Sequence, residues 1–272
     1  MRNRYAVIGN PIEHSKSPQI HAAFAKQTGE KLVYERILGD LQYFERDVIR
    51  FFQQGGRGLN VTVPFKVRAW QLADMLGREA QFAEAVNTLL RMPDGSLRGE
   101  NTDGIGLVRD LTINHHCLLN GSRILLLGAG GAAKGVAASL LEQEPAQLLI
   151  ANRTSSSAQQ LVQRLAGQGS VEWGGLEDLE GRQFDLIINA TAAGLNAEIP
   201  AIPDGILAPG GWVYDLMYSS EPTAFVTWGR SQRAAKSLDG LGMLVEQAAE
   251  SFFLWRGVRP ETAPVIAILS AA

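Results

Sequence analysis

Residues 123–135, RILLLGAGGAAKG, give the clearest indication of the fold. A short apolar run leads into a glycine cluster, in which Gly128, Gly130 and Ala133 have the spacing GxGxx(G/A). The first glycine of this pattern permits a tight turn, the second lets the backbone approach a pyrophosphate, and the small third residue lets the following helix pack closely on the strand. Because a strand precedes the cluster and a helix follows it, the stretch predicts a Rossmann-type dinucleotide-binding domain.

The end of the next apolar run indicates which dinucleotide is bound. Roughly 24 residues after the first glycine, where NAD-binding domains place a carboxylate on the ribose 2′-hydroxyl, the chain has Asn152, Arg153 and Thr154. A guanidinium at this position suits a 2′-phosphate, because its fork matches two phosphate oxygens and its charge does not titrate. The alternative is an exposed arginine at a strand end. We therefore predict NADP as the cofactor.

Two series of apolar strands and amphipathic helices extend outward from this motif. The first series comprises YAVIG (5–9), SPQIHAAFAKQTG (17–29), LVYERIL (32–38), residues 41–54 and GLNVTV (58–63), and the second comprises RILLLG, GVAASLLEQ, QLLIANR, residues 155–167, FDLIINAT (184–191) and GGWVYDLMY (210–218). Such alternation is typical of βαβ units with a mainly parallel sheet, and continuously apolar strands indicate helices on both sheet faces. The sequence therefore predicts two α/β domains.

Composition limits the classes of function. The 272 residues are 46% hydrophobic, which is enough for one or two cores, and 25 basic against 28 acidic residues leave no basic surface for nucleic acid. A single cysteine, Cys117, excludes a disulfide framework and fits a reducing compartment. No segment approaches the ~20 apolar residues of a membrane span. We therefore expect a cytoplasmic protein without nucleic-acid or membrane partners.

The sequence HHC at residues 115–117 contains candidate metal ligands. Three consecutive ligands without a fourth elsewhere form a poor tetrahedral shell, so a loop between domains is the preferred interpretation. No metal is predicted.

Polar residues gather in the first hundred residues, where loops should follow strands. They form the clusters GNPIEHSKSPQIH (9–21), NVTVPFK (60–66) and NTDG (101–104). Ser17 stands directly before Pro18, so one alternative is that Ser17 only caps the helix that follows. That alternative does not explain why polar residues recur at similar loop positions. These residues are Asn60, Thr62, Lys66, Asn87, Asn101 and Asp103.

Taken together, these segments resemble shikimate dehydrogenase, and the resemblance extends over nearly the whole chain. In sequence order it is carried by GNPIEHSKSP, NVTVPFK, AVNT (85–88), NTDG, GAGGAAKG, NRT (152–154), NAT (189–191) and DGLGMLVEQAA (239–249). The resemblance implies an NADP-dependent oxidoreductase that reversibly reduces 3-dehydroshikimate to shikimate, in chorismate and aromatic amino-acid biosynthesis.

The resemblance also implies roles for individual positions. The catalytic pair would be Lys66 and Asp103. The substrate would be bound by Ser15, Ser17, Asn60, Thr62, Asn87, Asn101, Tyr218 and Gln247. The cofactor would be bound by Gly128, Ala129, Gly130, Gly131, Ala132, Asn152, Arg153, Thr154, Thr191, Leu216, Gly240 and Met243.

The chemistry of ketone reduction agrees with the roles of the catalytic pair. The reaction needs a hydride on one side of the carbonyl and a proton for the developing alkoxide, which calls for a positioned acid rather than a nucleophile. Lys66 can supply the proton, and Asp103 can orient its ammonium group. The alternative is an ordinary surface ion pair.

The chain departs from the family pattern at two positions. Many NADP-using members carry a second basic residue three places after the threonine of NRT, whereas this chain has Ser157, so half of the phosphate clamp is missing. Glu84 stands before AVNT, where a glycine is common. His14 and His21 lie in the first motif without an acidic partner in sequence, and we interpret both as packing or capping residues.

Two other functions are compatible with much of the sequence. A quinate/shikimate dehydrogenase that uses NAD would share the fold and the catalytic pair. A metabolite-sensing protein of the same fold would bind ligands without turnover, but it would be expected to lack the lysine or the aspartate, and both are present.

Gln247 determines the predicted domain boundaries. Because its implied role is substrate contact, the helix around residues 241–256 should return to the N-terminal domain. We predict a substrate-binding domain of residues 1–104 plus 239–272 and a nucleotide-binding domain of residues 105–238, with a cleft between them and hinges near 104 and 239. A monomer or a homodimer is expected.

Overall fold

The computed structural model describes residues 3–191, 193 and 198–271. The chain divides into two compact units, the first formed by Met1–Gly106 and Val245–Ile268, and the second by Leu107–Leu244 and Leu269–Ala272. The first unit is therefore discontinuous in sequence. The domain boundaries at 104 and 239 stay a prediction.

Strands and helices alternate along both units. The strands are β1 (Asn3–Gly9), β2 (Leu32–Leu38), β3 (Gly56–Val61), β4 (Met75–Leu76), β5 (Thr88–Arg91), β6 (Leu97–Glu100), β7 (Arg123–Leu127), β8 (Gln147–Ala151), β9 (Val171–Gly174), β10 (Phe184–Asn189), β11 (Leu207–Asp215) and β12 (Lys236–Leu238). The helices are α1 (Ser17–Thr28), α2 (Phe44–Gln53), α3 (Lys66–Leu72), α4 (Arg78–Ala83), α5 (Asp103–Arg109), α6 (Gly131–Leu141), α7 (Ser155–Arg164), α8 (Ala224–Ser231), α9 (Leu241–Arg256) and α10 (Ala263–Ser270). The predicted mixed α/β class is confirmed.

The sheet of the first unit has the strand order β2-β1-β3-β5-β6-β4. Strand β1 pairs in parallel with β2 and β3, and β4 pairs in parallel with β6. Strand β5 runs antiparallel to β3 and to β6. The sheet is mainly parallel, as predicted, but it also contains an antiparallel hairpin of β5 and β6 that was not predicted.

A tight turn explains that hairpin. Residues 92–96 connect β5 to β6, and Gly95 within this loop has φ +90°, a value that glycine adopts without strain. Met92 donates a backbone hydrogen bond to Ser96, which closes the turn. Asp94 and Gly95 form the dipeptide that favours hairpins most strongly, so a signal was present in the sequence.

Helices cover both faces of this sheet. Ile8 of β1 joins Phe65 in an apolar core under α2 and α3. Tyr5, on the opposite face of β1, lies against Trp255 of α9, with 4.9 Å between ring centroids. Gly58 of β3 permits this close approach, because a Cβ atom there would overlap the indole of Trp255. The sheet is therefore buried between two helical layers.

His21 of α1 is buried in the aromatic cluster on the α9 face. Its ring stacks on Tyr34 with 4.1 Å between centroids, and Phe24 packs edge-on at 5.9 Å. Neither ring nitrogen has a hydrogen-bond partner within the protein. Burial lowers the pKa of His21 to about 3. The side chain of Asn60 raises this pKa, but its effect is smaller than that of burial. His21 is a neutral packing residue.

We expect this histidine to make the protein sensitive to acid. Its pKa in the unfolded chain is near 6.5, so below that pH the unfolded state binds a proton that the folded state excludes down to about pH 3. The stability associated with neutral His21 is complete above about pH 6.5 and declines as the pH falls, by about 2 kcal/mol at pH 5. His21→Leu should remove this part of the pH dependence, as measured by urea unfolding at pH 7 and pH 5.

The matched control is His14→Gln, which alters an exposed histidine and should keep the parent's pH dependence. Equal losses of stability on acidification in His21→Leu and in the parent would contradict the interpretation.

The sheet of the second unit has the order β12-β11-β10-β7-β8-β9, with parallel pairing throughout the described strands. Counted from β7 as the first strand of the unit, this is the order 6-5-4-1-2-3 of the dinucleotide-binding fold. Leu125 and Leu126 of the central strand β7 point to opposite faces and are both fully buried, as expected when helices cover both faces. The predicted Rossmann-type domain is confirmed.

Among the described residues, no helix is long and apolar enough to cross a membrane. Within the same residues, no group of three or more His, Cys, Asp and Glu side chains is arranged to hold a metal ion.

Candidate active site

Lys66 and Asp103 form an ion pair at one edge of the first sheet. Lys66 begins α3 shortly after β3, and Asp103 begins α5 shortly after β6. Since β3 and β6 both run antiparallel to β5, they are parallel to each other and their carboxyl ends meet at the same edge. Lys66 Nζ donates to Asp103 Oδ2 over 2.6 Å. The ammonium group is partly exposed and the carboxylate is nearly buried.

Asn87 fixes the other oxygen of this carboxylate. Because β5 runs antiparallel to its neighbours, the residue that precedes it reaches the edge at which β3 and β6 end. Asn87 Nδ2 donates to Asp103 Oδ1 over 2.8 Å, and Asn87 Oδ1 accepts the backbone N–H of Thr102 over 3.0 Å. Hydrogen bonds thus hold both carboxylate oxygens of Asp103. The ammonium group of Lys66 is therefore oriented in one direction for contact with a ligand.

A cluster of buried hydroxyl groups contacts Asn87, whose Nδ2 donates to Thr102 Oγ1 over 3.0 Å and whose Oδ1 accepts from Thr88 Oγ1 over 2.9 Å. Thr102 Oγ1 lies 3.3 Å from Gln247 Oε1, to which it donates, and Ser251 Oγ lies 2.7 Å from Thr88 Oγ1. Sequence reasoning missed Thr88, Thr102 and Ser251. Ser251 stands one helical turn after Gln247 on α9, a spacing that puts both on one face and could have identified it.

Asn60 links this cluster to strand β2. Its amide nitrogen donates to the backbone oxygen of Asn87 over 3.2 Å and to Ser251 Oγ over 3.0 Å. Its oxygen accepts from the hydroxyl of Tyr34 over 2.7 Å, and burial raises the pKa of Tyr34 well above its ordinary value. The polar atoms of Asn60 are therefore engaged within the protein.

The first motif presents its serines at the start of α1. The helix begins at Ser17, whose backbone N–H donates to Ser15 Oγ over 3.3 Å, and the capping position is occupied by Lys16. The alternative that Ser17 is only an N-cap is therefore wrong, because Ser17 already has helical geometry. Arg36 donates to the backbone oxygen of Ser15 and holds this loop.

Thr62 and Asn101 line the same strand ends. The methyl group of Thr62 packs on Gly9, where a Cβ atom would lie only 2.5 Å from it. Asn101 Nδ2 donates to Ala85 O over 3.0 Å, and its oxygen accepts the backbone N–H of Asp103 over 3.1 Å. Glu84, which precedes Ala85, has φ +49° and ψ +36° and ends α4 in the left-handed conformation that favours glycine.

The glycine cluster of the second unit fits a pyrophosphate. Gly128 has φ +108°, and a Cβ atom there would lie 3.0 Å from Ala190 O. Gly130 and Gly131 are exposed and have no neighbouring atom within 4 Å of a Cβ position. Because α6 begins at Gly131, its first N–H groups and positive end face this open space. Ala129 lies between Gly128 and Gly130, and Ala132 lies in the first turn of α6.

The remaining predicted cofactor residues also lie beyond carboxyl ends of the parallel strands. Asn152 follows β8, and its Nδ2 donates to Thr154 O over 3.0 Å. Arg153 is exposed. Thr191 follows β10 and donates to Asn189 Oδ1, whereas Leu216 follows β11. Gly240 follows β12 and Met243 lies in the first turn of α9.

Tyr218 also belongs to the second unit, three residues beyond β11. Burial raises the pKa of its phenol. The other predicted substrate residues belong to the first unit.

Comparison with known proteins gives one consistent result. Residues 7–89 match the family described as shikimate dehydrogenase substrate binding domain, residues 112–197 match shikimate / quinate 5-dehydrogenase, and residues 240–269 match the shikimate 5′-dehydrogenase C-terminal domain.

Full-length relatives agree with these matches. A protein of Nitrosococcus oceani named shikimate dehydrogenase (NADP(+)) is 55% identical over 99% of this chain and 95% of its own length. A protein of Alkalilimnicola ehrlichii with the same name is 56% identical over 99% of both chains.

Solved structures show the same relationship. The Ael1 enzyme of Pseudomonas putida superposes with a TM-score of 0.92 at 45% identity over 98% of each chain. The shikimate 5-dehydrogenase of Thermus thermophilus, solved with NADP(H) and shikimate, gives a TM-score of 0.86 at 31% identity over 97% of each chain.

Proposed function

The chain belongs to the shikimate dehydrogenase family, and from this premise we propose that it reversibly reduces 3-dehydroshikimate to shikimate with NADPH, using Lys66 as the proton donor. This reaction serves chorismate and aromatic amino-acid biosynthesis. The observation that carries the proposal is the 2.6 Å contact between Lys66 Nζ and Asp103 Oδ2. The other carboxylate oxygen of Asp103, Oδ1, is held by Asn87.

The residues of the pair have distinct tasks in this reaction. When bound, NADPH would supply the hydride for the carbonyl carbon. Lys66 gives a proton from Nζ to the oxygen that becomes the alcohol, and takes it back in the reverse direction. Asp103 Oδ2 holds Nζ in place through the reaction, and Asn87 prevents the carboxylate from rotating away. The nearly buried position of Asp103 strengthens this electrostatic contact.

Recognition of the substrate would rely on uncharged groups. We assign Ser15 and Ser17 to the carboxylate of the substrate, and Thr62, Asn87, Tyr218 and Gln247 to its ring hydroxyls. A polyhydroxylated ring must exchange its hydrogen bonds with water for equivalent bonds with protein, and neutral donors and acceptors achieve this without an unpaired buried charge. We also assign Asn60 and Asn101 to the substrate site, where Asn60 donates to the backbone oxygen of Asn87 and Asn101 accepts the backbone N–H of Asp103.

The cofactor would be held by the open glycine turn before α6 and by the loop from Asn152 to Thr154. Arg153 is the cation available for a 2′-phosphate, and its guanidinium can contact two phosphate oxygens at once. Thr191, Leu216, Gly240 and Met243 line the same edge of the sheet.

Adding a second cation should strengthen the choice of NADP. Ser157 lies in the first turn of α7, where its backbone N–H donates to Thr154 O over 3.0 Å. Ser157→Arg should raise the ratio of kcat/KM for NADP over NAD by about tenfold, which is typical of one charge-assisted contact to phosphate. Steady-state kinetics with both cofactors measures the ratio.

The matched control for this variant is Ser156→Arg, which adds the same charge to a different side of α7. It should leave the ratio nearly unchanged. A parent protein that already prefers NAD would contradict the role given to Arg153.

One assay tests the proposed activity against its alternatives. Absorbance in the nicotinamide band should increase with shikimate and NADP, and should change less with quinate or with NAD. A preference for quinate with NAD would identify the quinate/shikimate dehydrogenase, and binding of shikimate without turnover would identify a sensor. We further propose that the enzyme acts in the cytoplasm as a monomer or homodimer, which light scattering would distinguish.

A further inference from the structure

The strand beside Arg153 ends in an acidic turn. Strands β8 and β9 are parallel, with Ala151 opposite Gly174, and the backbone N–H of Asn152 donates to Gly174 O over 3.2 Å. The residues that follow Gly174 therefore emerge directly next to the loop that contains Arg153. They read GLEDLE, residues 175–180, and contain three carboxylates.

The fold of this turn directs Glu177 back toward the ends of the strands. Asp178 Oδ2 accepts the backbone N–H of Gly175 over 2.7 Å and closes the turn. The carboxylate of Glu177 lies over Gly175, where a Cβ atom would overlap it. The carboxylate of Asp178 is thus hydrogen-bonded within the turn. Glu177 lies at the carboxyl end of β9, next to the carboxyl end of β8 that Arg153 follows.

A surface cavity of about 540 Å³ joins these groups. It is lined by Arg153, Leu176, Glu177, Glu180, Ala201, Ile202 and Pro203. One basic and two acidic residues therefore line a common space whose other lining residues are apolar. A dianionic phosphate bound by Arg153 would be repelled by both carboxylates, while a ribose hydroxyl in the same place could donate a hydrogen bond to one of them.

We propose that Glu177 and Glu180 determine cofactor preference by opposing the 2′-phosphate of NADP and by accepting hydrogen bonds from the free ribose hydroxyls of NAD. The proposal rests on the proposed function, since it assumes that Arg153 receives the adenosine end of the cofactor. Strand β8 ends without the carboxylate that NAD-binding domains use, whereas the turn that follows β9 places Glu177 and Glu180 beside the same cavity as Arg153. Together with Ser157, this moderates the preference for NADP.

Binding of cofactor fragments tests the proposal without turnover. The probes are adenosine 2′,5′-bisphosphate, which carries the 2′-phosphate, and AMP, which has a free 2′-hydroxyl, and calorimetry gives the Kd of each. Glu177→Gln and Glu180→Gln should each tighten the bisphosphate by about threefold, and the double variant by about tenfold, as expected for removing exposed like charges. AMP should bind equally or more weakly. The gain should shrink as salt rises, because screening weakens exposed charges.

Glu142→Gln is the matched control. It removes one negative charge from the same unit at the end of α6 opposite the glycine turn, and it should change neither Kd. If the double variant binds the bisphosphate and AMP in the same ratio as the parent, the proposal is wrong. If the parent binds neither the bisphosphate nor NADP, the assignment of the cofactor site itself is wrong. This outcome is distinct from failure of the roles given to Glu177 and Glu180, which would leave binding of the parent intact.

Discussion

Lys66→Ala should lower kcat by at least about 100-fold, the loss typical of removing a general acid–base group. The variant should fold normally, because the ammonium group is partly exposed and α3 does not depend on it for core packing. Its affinity for NADP should equal that of the parent, since the residues of the glycine turn belong to the other unit. Stopped-flow absorbance gives the rate of hydride transfer, and fluorescence titration gives the Kd for NADPH.

Two further variants separate the effect of losing a proton donor from the effect of losing a positive charge. Lys66→Arg keeps the cation near Asp103 but offers a poor proton donor, so it should also be slow. Lys26→Ala removes an exposed lysine in the last turn of α1 and should have normal turnover. Near-normal kcat in Lys66→Ala would assign the proton donor to another residue.

Gly128→Ala should weaken NADP binding by at least about tenfold and lower Tm, because φ +108° is strained for any residue with a Cβ atom. The added methyl group would also press on Ala190 O, 3.0 Å from the ideal Cβ position. Thermal unfolding and calorimetric titration with NADP measure the two effects.

Gly130→Ala provides the comparison that isolates the phosphate contact. Gly130 has φ −81°, and its Cβ position has no neighbour within 4 Å, so the variant should keep the parent's Tm. The methyl group would nevertheless occupy the space that the pyrophosphate needs, so NADP should bind more weakly. Unchanged binding in Gly130→Ala would show that the cofactor does not approach this turn.

The sequence predicted the second unit more completely than the first. Strands β7, β8 and β10 are continuous apolar runs of the length expected for buried parallel strands, and the glycine spacing added an independent signal. Strands β5 and β6 are only four residues long, and their pattern is dominated by the turn between them. Periodicity cannot detect elements of that length.

The catalytic pair and Asn87 could be predicted, but the contacts between distant segments that support them could not. Lys66 and Asp103 stand in motifs with a chemical meaning, whereas Ser251 reaches Thr88 across 163 positions of sequence. Such a contact depends on where α9 packs, and apolar spacing along α9 does not report its neighbours. The predicted cleft stays a prediction.

Because the first unit is discontinuous in sequence, its two segments leave the ribosome at different times during translation. By residue 240 the ribosome has delivered every described strand, yet Phe252 and Trp255 are still to come. Until α9 emerges, Tyr5 and Phe24 lack the aromatic cover that these two residues provide. Closing the intervening loop costs little, because the entropy of loop closure grows only slowly with length. All strands of the first sheet are synthesised by residue 100, but its helical cover is completed only when α9 follows the second sheet, so the core of the unit that contains Lys66 is completed last.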